Sequence, residues 1–343
     1  MAYDIAGDQR LDPRVKAFLL SVPSEAGGDV GSRDELLREA AALGERHEED
    51  AWDRLKAQCG SEEAAPSTGL ACSEEELESS PDGNRVKLLV TRPDNDEALA
   101  CIYYVHGGGM ASQSCYDPHF RGWARLLAAN GVAVVMVDFR NSLVPSSVPE
   151  VEPYPAGLND CVSGLRWTVA NASRLGIDPA RVVVAGESGG GNLTLATGLR
   201  LLRDGDIGLV KGLYALCPYI AGSWPRDDCP SSVENNGIML ELHDNRAAMS
   251  YGIDAFESRD PLAWPLFATV DDVRGFPPTV VNVNECDPLR DEGVNFYRLL
   301  LQAGVPARCR QTMGTAHATE VFTSLCPDIS RDTARDMAAF ARE

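Results

Sequence analysis

Arg181-Val-Val-Val-Ala-Gly-Glu-Ser-Gly-Gly-Gly-Asn192 runs an apolar strand into Gly-x-Ser-x-Gly and on into a helical stretch. That order is what lifts a serine hydroxyl off the end of a strand on a strained turn. Glycines two residues before and two after the serine, Gly186 and Gly190, keep Cβ atoms out of the crowded backbone. Ser188 is therefore the candidate nucleophile.

Upstream, Tyr103-Tyr-Val-His-Gly-Gly-Gly-Met110 is a second apolar strand ending in three glycines. A serine hydrolase needs backbone N–H groups aimed at the oxygen of its tetrahedral intermediate, each worth about 3 to 4 kcal/mol. Side chains on that loop would block the approach. Gly107, Gly108 and Gly109 suit the task, with the amide of Gly189 as the donor after the nucleophile. His106 heads the loop and reads as its brace rather than as a proton carrier.

The remaining partners should follow in the order acid, then histidine, each at the carboxyl end of a later strand. Pro278-Thr-Val-Val-Asn-Val-Asn-Glu-Cys-Asp-Pro-Leu-Arg-Asp-Glu-Gly293 is an apolar strand that breaks into an acid-rich turn, with Asp287 where the pattern stops. Glu285 and Asp291 compete for the role. Glu285 still falls within the strand pattern, and Asp291 reads as the first turn of the next helix, where an acid favours the dipole. Of five histidines, His47 and His243 lie in charged stretches and read as solvated. His119 follows Asp-Pro near the glycine loop and could line a pocket, but it precedes the nucleophile. His317, after the strand-like residues 307–313, is the candidate general base.

These residues resemble the hormone-sensitive lipase family of α/β-hydrolases, and within it a bacterial branch that includes an enzyme opening a macrocyclic lactone. The resemblance runs over roughly residues 100–325. It is carried by His106-Gly-Gly-Gly-Met110, Met136-Val-Asp-Phe-Arg-Asn141, Gly186-Glu-Ser-Gly-Gly-Gly-Asn-Leu193, Val233-Glu-Asn-Asn-Gly237, Pro261-Leu-Ala-Trp-Pro-Leu-Phe-Ala268 and Asp287-Pro-Leu-Arg-Asp-Glu-Gly293. Many members of the family carry Asp and Ala where this chain has Glu187 and Gly189. The resemblance implies hydrolysis of carboxylic esters, macrocyclic lactones among them, through an acyl-enzyme on Ser188, with His317 as base and Asp287 as its orienting acid. It implies no metal and no organic cofactor. In keeping with that, the sequence holds no His-Glu-x-x-His, no Cys-x-x-Cys and no Gly-x-Gly-x-x-Gly opening a dinucleotide fold. The same triad would serve an amidase or peptidase. Related receptors that have lost the catalytic histidine are set apart by the presence of His317.

Along the chain, strands and helices alternate from residue 85 onward, which predicts an α/β fold with a mostly parallel central sheet and helices on both faces. Residues 1–84 read as a helical segment followed by a polar linker over 60–84. Residues 85–220 and 265–343 read as the catalytic domain, and 221–264, rich in Pro, Asp, Ser and Asn, as a second cap segment with a helical run over 240–256. By the resemblance, the two outer segments form a cap above Ser188. Met110, Phe139, Trp224 and Met239 are candidate pocket residues, with Met249, Tyr251 and Phe256 as further cap candidates that could equally pack against the core.

The net charge of −20, from 51 acidic and 31 basic residues, argues against nucleic acid or an anionic membrane surface as partner. The partner to expect is a small ester or lactone, with a monomer and a homodimer both compatible with the sequence. Met1-Ala-Tyr-Asp-Ile-Ala-Gly-Asp-Gln-Arg10 lacks a basic region followed by an apolar core, so no secretory signal is expected. Ten cysteines are scattered without metal or framework spacing. Reduced thiols and a cytoplasmic location follow as the expectation.

Overall fold

The computed structural model describes residues 3–22, 27–45 and 49–343. Its centre is one eight-stranded sheet. In chain order the strands are β1 Leu70–Glu78, β2 Arg85–Pro93, β3 Leu99–Val105, β4 Ala133–Asp138, β5 Ile177–Glu187, β6 Gly212–Leu216, β7 Thr279–Asn284 and β8 Ala307–Thr312. They lie in the order β1-β2-β4-β3-β5-β6-β7-β8. The first two pairings are antiparallel and all the others parallel.

Burial on both faces explains the unbroken apolar runs of the central strands. Every residue of β3, β4, β6 and β7 is buried. Alternate side chains divide between two cores, as a period of two requires. Cys101, Tyr103 and Val105 face one side with helices Ala156–Ala170, Gly189–Asp204 and Arg290–Gln302. Ile102 and Tyr104 face the other with helices Pro118–Ala128 and Pro327–Arg342. The parallel strands thus all present their carboxyl ends at one edge, where ligand sites of open α/β sheets form.

Two expectations are corrected. The stretch 60–84 is not a linker throughout, because β1 lies within it and pairs with β2 from Leu70↔Pro93 to Glu78↔Arg85. Its Glu-rich sequence is poor in strand formers, but an edge strand exposed to water needs few apolar side chains. The helical run over 240–256 is two short helices, Arg246–Tyr251 and Ile253–Glu257, broken where Gly252 leaves helical dihedrals. Within the insertion, Tyr251, Ala263 and Trp264 pack in the same cluster as the sheet residues Val281 and Val283.

The N-terminal segment packs against the insertion. Helix Pro13–Leu19 buries Val15 and Leu19 in a cluster with Leu11, Ile238, Cys286 and Ala316. Arg246 pairs with Glu39 at 2.7 Å, and the Asn245 side chain bonds both backbone polar groups of Val30. No helix among the described residues is long and apolar enough to cross a membrane.

Candidate active site

Ser188 caps helix Gly189–Asp204 immediately after β5, at φ 57°, ψ −121°. A non-glycine residue there is strained, and the surroundings hold it in place. The Ser188 amide donates to the Leu216 carbonyl on β6 at 2.9 Å, and its own carbonyl accepts from Tyr219 and Asn192, both at 3.0 Å. The turn tolerates no Cβ. One on Gly186 would stand 2.5 Å from the carbonyls of Gly190 and Val105, and one on Gly190 would strike the Val105 carbonyl.

The glycine loop lies against this turn. A Cβ on Gly189 would approach the Met110 nitrogen to 2.5 Å and that of Gly109 to 2.8 Å. Gly108 and Gly109 take φ of 95° and 63°, conformations open to glycine. None of the hydrogen bonds outside the regular elements uses the amides of Gly108, Gly109 or Gly189. Gly107 differs, because its N–H donates to the buried carboxylate of Glu187. It is thereby occupied, unlike the amides of the other candidate glycines. Glu187 also accepts from the Tyr104 hydroxyl, and burial pushes its carboxyl up to about 7. The sequence marked Glu187 only as a departure from the commoner pattern.

His106 is buried under the loop. Its Nδ1 lies 2.9 Å from the Gly107 carbonyl, and its ring stacks on Phe139 at 4.3 Å. Burial lowers its pKa, so the ring is neutral. This is the geometry of a brace.

At the other side of the turn, Asp287 follows β7 and His317 follows β8. Asp287 Oδ2 meets His317 Nδ1 at 2.7 Å, while Oδ1 accepts from the Leu289 amide at 2.9 Å. Both residues are buried. The competing acids are engaged elsewhere. Glu285 accepts from the Gly314 amide at 2.8 Å, and Asp291 takes Arg290 and the Ser231 amide. The Asp287 and His317 loops are joined by Cys286 N–H to Thr315 carbonyl at 2.9 Å. Behind them, Asn284 and Asn282 donate to the buried Glu320. Neither Glu320 nor its amide partners stood out in the sequence, since only the fold brings them together.

Cys217 Sγ lies within 4.8 Å of the ligand atoms of Asp287 and His317, which among the described residues is the one His, Cys or carboxylate cluster close enough for a metal ion. Burial pushes its thiol well up, so it stays protonated. All ten cysteines are free.

Ser188, His317 and the three loop glycines line one cavity of about 250 Å³. Phe120, Tyr219, Leu240, Leu242, Val321 and Phe322 form its apolar wall, and Gln113 and His119 add polar groups. Of the four expected pocket residues, Met239 lines it. The other three pack elsewhere. Met110 is buried in the sheet core, Phe139 stacks on His106, and Trp224 stacks on Tyr219 at 4.8 Å while donating to Glu292 at 2.7 Å. His243 is exposed, and its Nε2 lies 2.8 Å from the Ser232 carbonyl. His47 lies outside the described residues.

Residues 102–321 match the model of a family described as alpha/beta hydrolase fold. The carboxylesterase NlhH of Mycobacterium tuberculosis is 32% identical over 249 residues, 71% of this chain and 74% of its own length. Among solved structures, a mutant-S188A form of esterase Est22 is 58% identical, with a TM-score of 0.95 over 98% of this chain and 99% of its own. Brefeldin A esterase, a bacterial homologue of human hormone sensitive lipase, is 34% identical, with a TM-score of 0.86 over 98% of this chain and 94% of its own.

Proposed function

This chain belongs to the α/β-hydrolase fold family and is a carboxylic ester hydrolase, and on that premise we propose that it cleaves esters through an acyl-enzyme on Ser188. The observation that carries the reading is the 2.7 Å contact of His317 Nδ1 with Asp287 in the cavity that also holds the strained Ser188 turn.

With Asp287 holding Nδ1–H, His317 presents Nε2 as the acceptor. Ser188 Oγ attacks the ester carbonyl and passes its proton to Nε2. Negative charge builds on the carbonyl oxygen, toward which the amides of Gly108, Gly109 and Gly189 are free to point. Collapse breaks the bond to the alkoxide, which leaves as an alcohol with the proton from His317. Water, deprotonated by the same nitrogen, then releases the acid and restores Ser188. Residues 221–264, which supply Met239, Leu240 and Leu242 to the cavity wall, act as the cap over this site together with the N-terminal segment packed on them.

The size of the cavity bears on substrate. About 250 Å³ falls below the roughly 300 to 1,000 Å³ of typical ligand pockets, so esters with short acyl chains suit it best. Likeness to brefeldin A esterase supports a second reading, a macrocyclic lactone, which would need the cap to open.

The test is the initial rate on p-nitrophenyl acetate, butyrate and octanoate and on a macrocyclic lactone. Ser188→Ala should lower turnover by about 10⁶-fold and Asp287→Asn by about 10⁴-fold. Residual activity in Ser188→Ala near that of wild type would remove the acyl-enzyme reading.

A further inference from the structure

His119 stands in the wall of the cavity with nothing to bond to. It is 1% exposed, and its ring lies between Phe120, at a centroid distance of 3.9 Å, and Phe322, at 5.6 Å and nearly parallel. Nδ1 is buried without a partner, and no hydrogen bond to a described residue uses Nε2. Burial lowers its pKa to about 3, so the ring is neutral at any working pH. A neutral imidazole carries one N–H donor and one bare nitrogen acceptor.

Leaving such a group unsatisfied is costly, and a leucine or phenylalanine would fill the same wall without that penalty. Its neighbours in the wall, Phe120, Val321 and Phe322, are apolar. Nδ1 is sealed off, so it is Nε2, unbonded and not sealed in this way, that is available to whatever enters.

Resting on the esterase reading above, we infer that His119 is a specificity-determining residue, and that the preferred substrates are short esters with a hydroxyl or carbonyl oxygen on the chain that lies against its ring. A hydroxyl matches it best, because it can accept from Nε2 when that nitrogen carries the proton and donate to it when it does not. Such sites discriminate strongly, since an analogue lacking the oxygen leaves the buried group unpaired.

The experiment compares matched pairs, so that a general loss of activity cancels. On the acyl side, kcat/KM is measured for p-nitrophenyl butyrate against p-nitrophenyl 3-hydroxybutyrate and 4-oxopentanoate. On the alcohol side, ethyl butyrate is set against 2-hydroxyethyl butyrate. Wild type should favour an oxygenated member of at least one pair by about tenfold. In His119→Phe and His119→Leu that ratio should fall to about one, and His119→Gln, which keeps a donor and an acceptor, should restore part of it. A ratio of one or below in wild type on every pair overturns the inference, as does a ratio that His119→Phe leaves unchanged. Should His119→Phe not fold, wild type and His119→Gln still decide it. Absence of turnover on plain and oxygenated esters alike would remove the esterase reading, and this inference with it.

Discussion

Gly189 shows how much a single hydrogen decides at this site. Its Cβ position is 2.5 Å from the Met110 nitrogen, so the glycine loop sits as close to the nucleophile turn as backbone allows. Although Ala is common at this position in the family, at the loop spacing of this chain Gly189→Ala must push that loop outward, away from the place where an oxyanion would be held. The expected outcome is a fall in kcat of about 10²-fold, the loss typical of one misplaced donor, with KM little changed. Full activity in Gly189→Ala, measured on p-nitrophenyl butyrate, would show that the loop spacing has slack. At this scale the sequence was legible where chemistry forces local pattern. Ser188, Asp287 and His317 each sit where a strand ends, and glycine is demanded by sterics that any reader can reconstruct. The pocket wall was not legible. Met110, Phe139 and Trp224 are apolar residues near the motifs, yet nothing local tells which side of the sheet each one faces. Glu187 was visible as an oddity, but its hold on Gly107 depends on two strands meeting.

Between elements, the least legible contacts are those that side-chain amides make across long stretches of chain. Asn235, in the insertion, is fully buried and donates to the carbonyls of Glu285 at 3.2 Å and Asp287 at 3.0 Å. Its Oδ1 accepts from Arg10 of the N-terminal segment at 3.0 Å. One amide thus joins the N-terminal segment, the insertion and the turn carrying Asp287. The Val233-Glu-Asn-Asn-Gly237 motif is legible as a motif, but periodicity says nothing of partners 50 or 225 residues away. Asn235→Ala removes these three hydrogen bonds of a buried amide, leaving Arg290 as the remaining donor to both carbonyls, and should destabilise the protein by about 2 kcal/mol, read as a lower denaturant midpoint at unchanged slope. Arg10→Ala should cost less, because the Arg10 side chain is 34% exposed and water can replace it. An unchanged midpoint in Asn235→Ala would mean that the junction relaxes without it. The edge strand β1 escaped the sequence reading for a related reason: its pairing with β2 is made by backbone, and its side chains carry no alternation.

For the molecule as a whole, charge and burial combine into a pH dependence whose sign can be derived. Burial raises Glu187 to about 7 and Glu292 to about 8, and raises Glu320 as well. Each takes up its proton more readily folded than unfolded. Their contribution to stability is therefore present in full below the unfolded value of about 4.3 and is lost as pH rises through the folded value. Buried His106 and His119 are shifted down, which acts oppositely: their stability is present above the unfolded histidine value of about 6.5 and lost as pH falls. The two effects oppose one another below pH 6.5. Above it the histidines are neutral in both states, and the carboxyls still titrate differently, joined toward pH 8 by buried thiols such as Cys217, whose raised values act in the same direction. Between pH 6.5 and 8 the protein should therefore lose stability, by at most about 1.4 kcal/mol per pH unit for each group. The net charge of −20 adds repulsion in the same direction. Salt separates the two contributions, because repulsion between exposed charges is screened beyond about 8 to 10 Å while a buried carboxyl is not. Melting temperatures at pH 6.5, 7.25 and 8 should fall steadily in wild type, less steeply but still measurably in 0.5 M NaCl. The Glu187→Gln/Glu292→Gln protein should show a flatter slope at high salt, whatever its absolute stability. A wild-type slope that vanishes in salt would assign the whole effect to surface charge and leave the buried carboxyls no part in it.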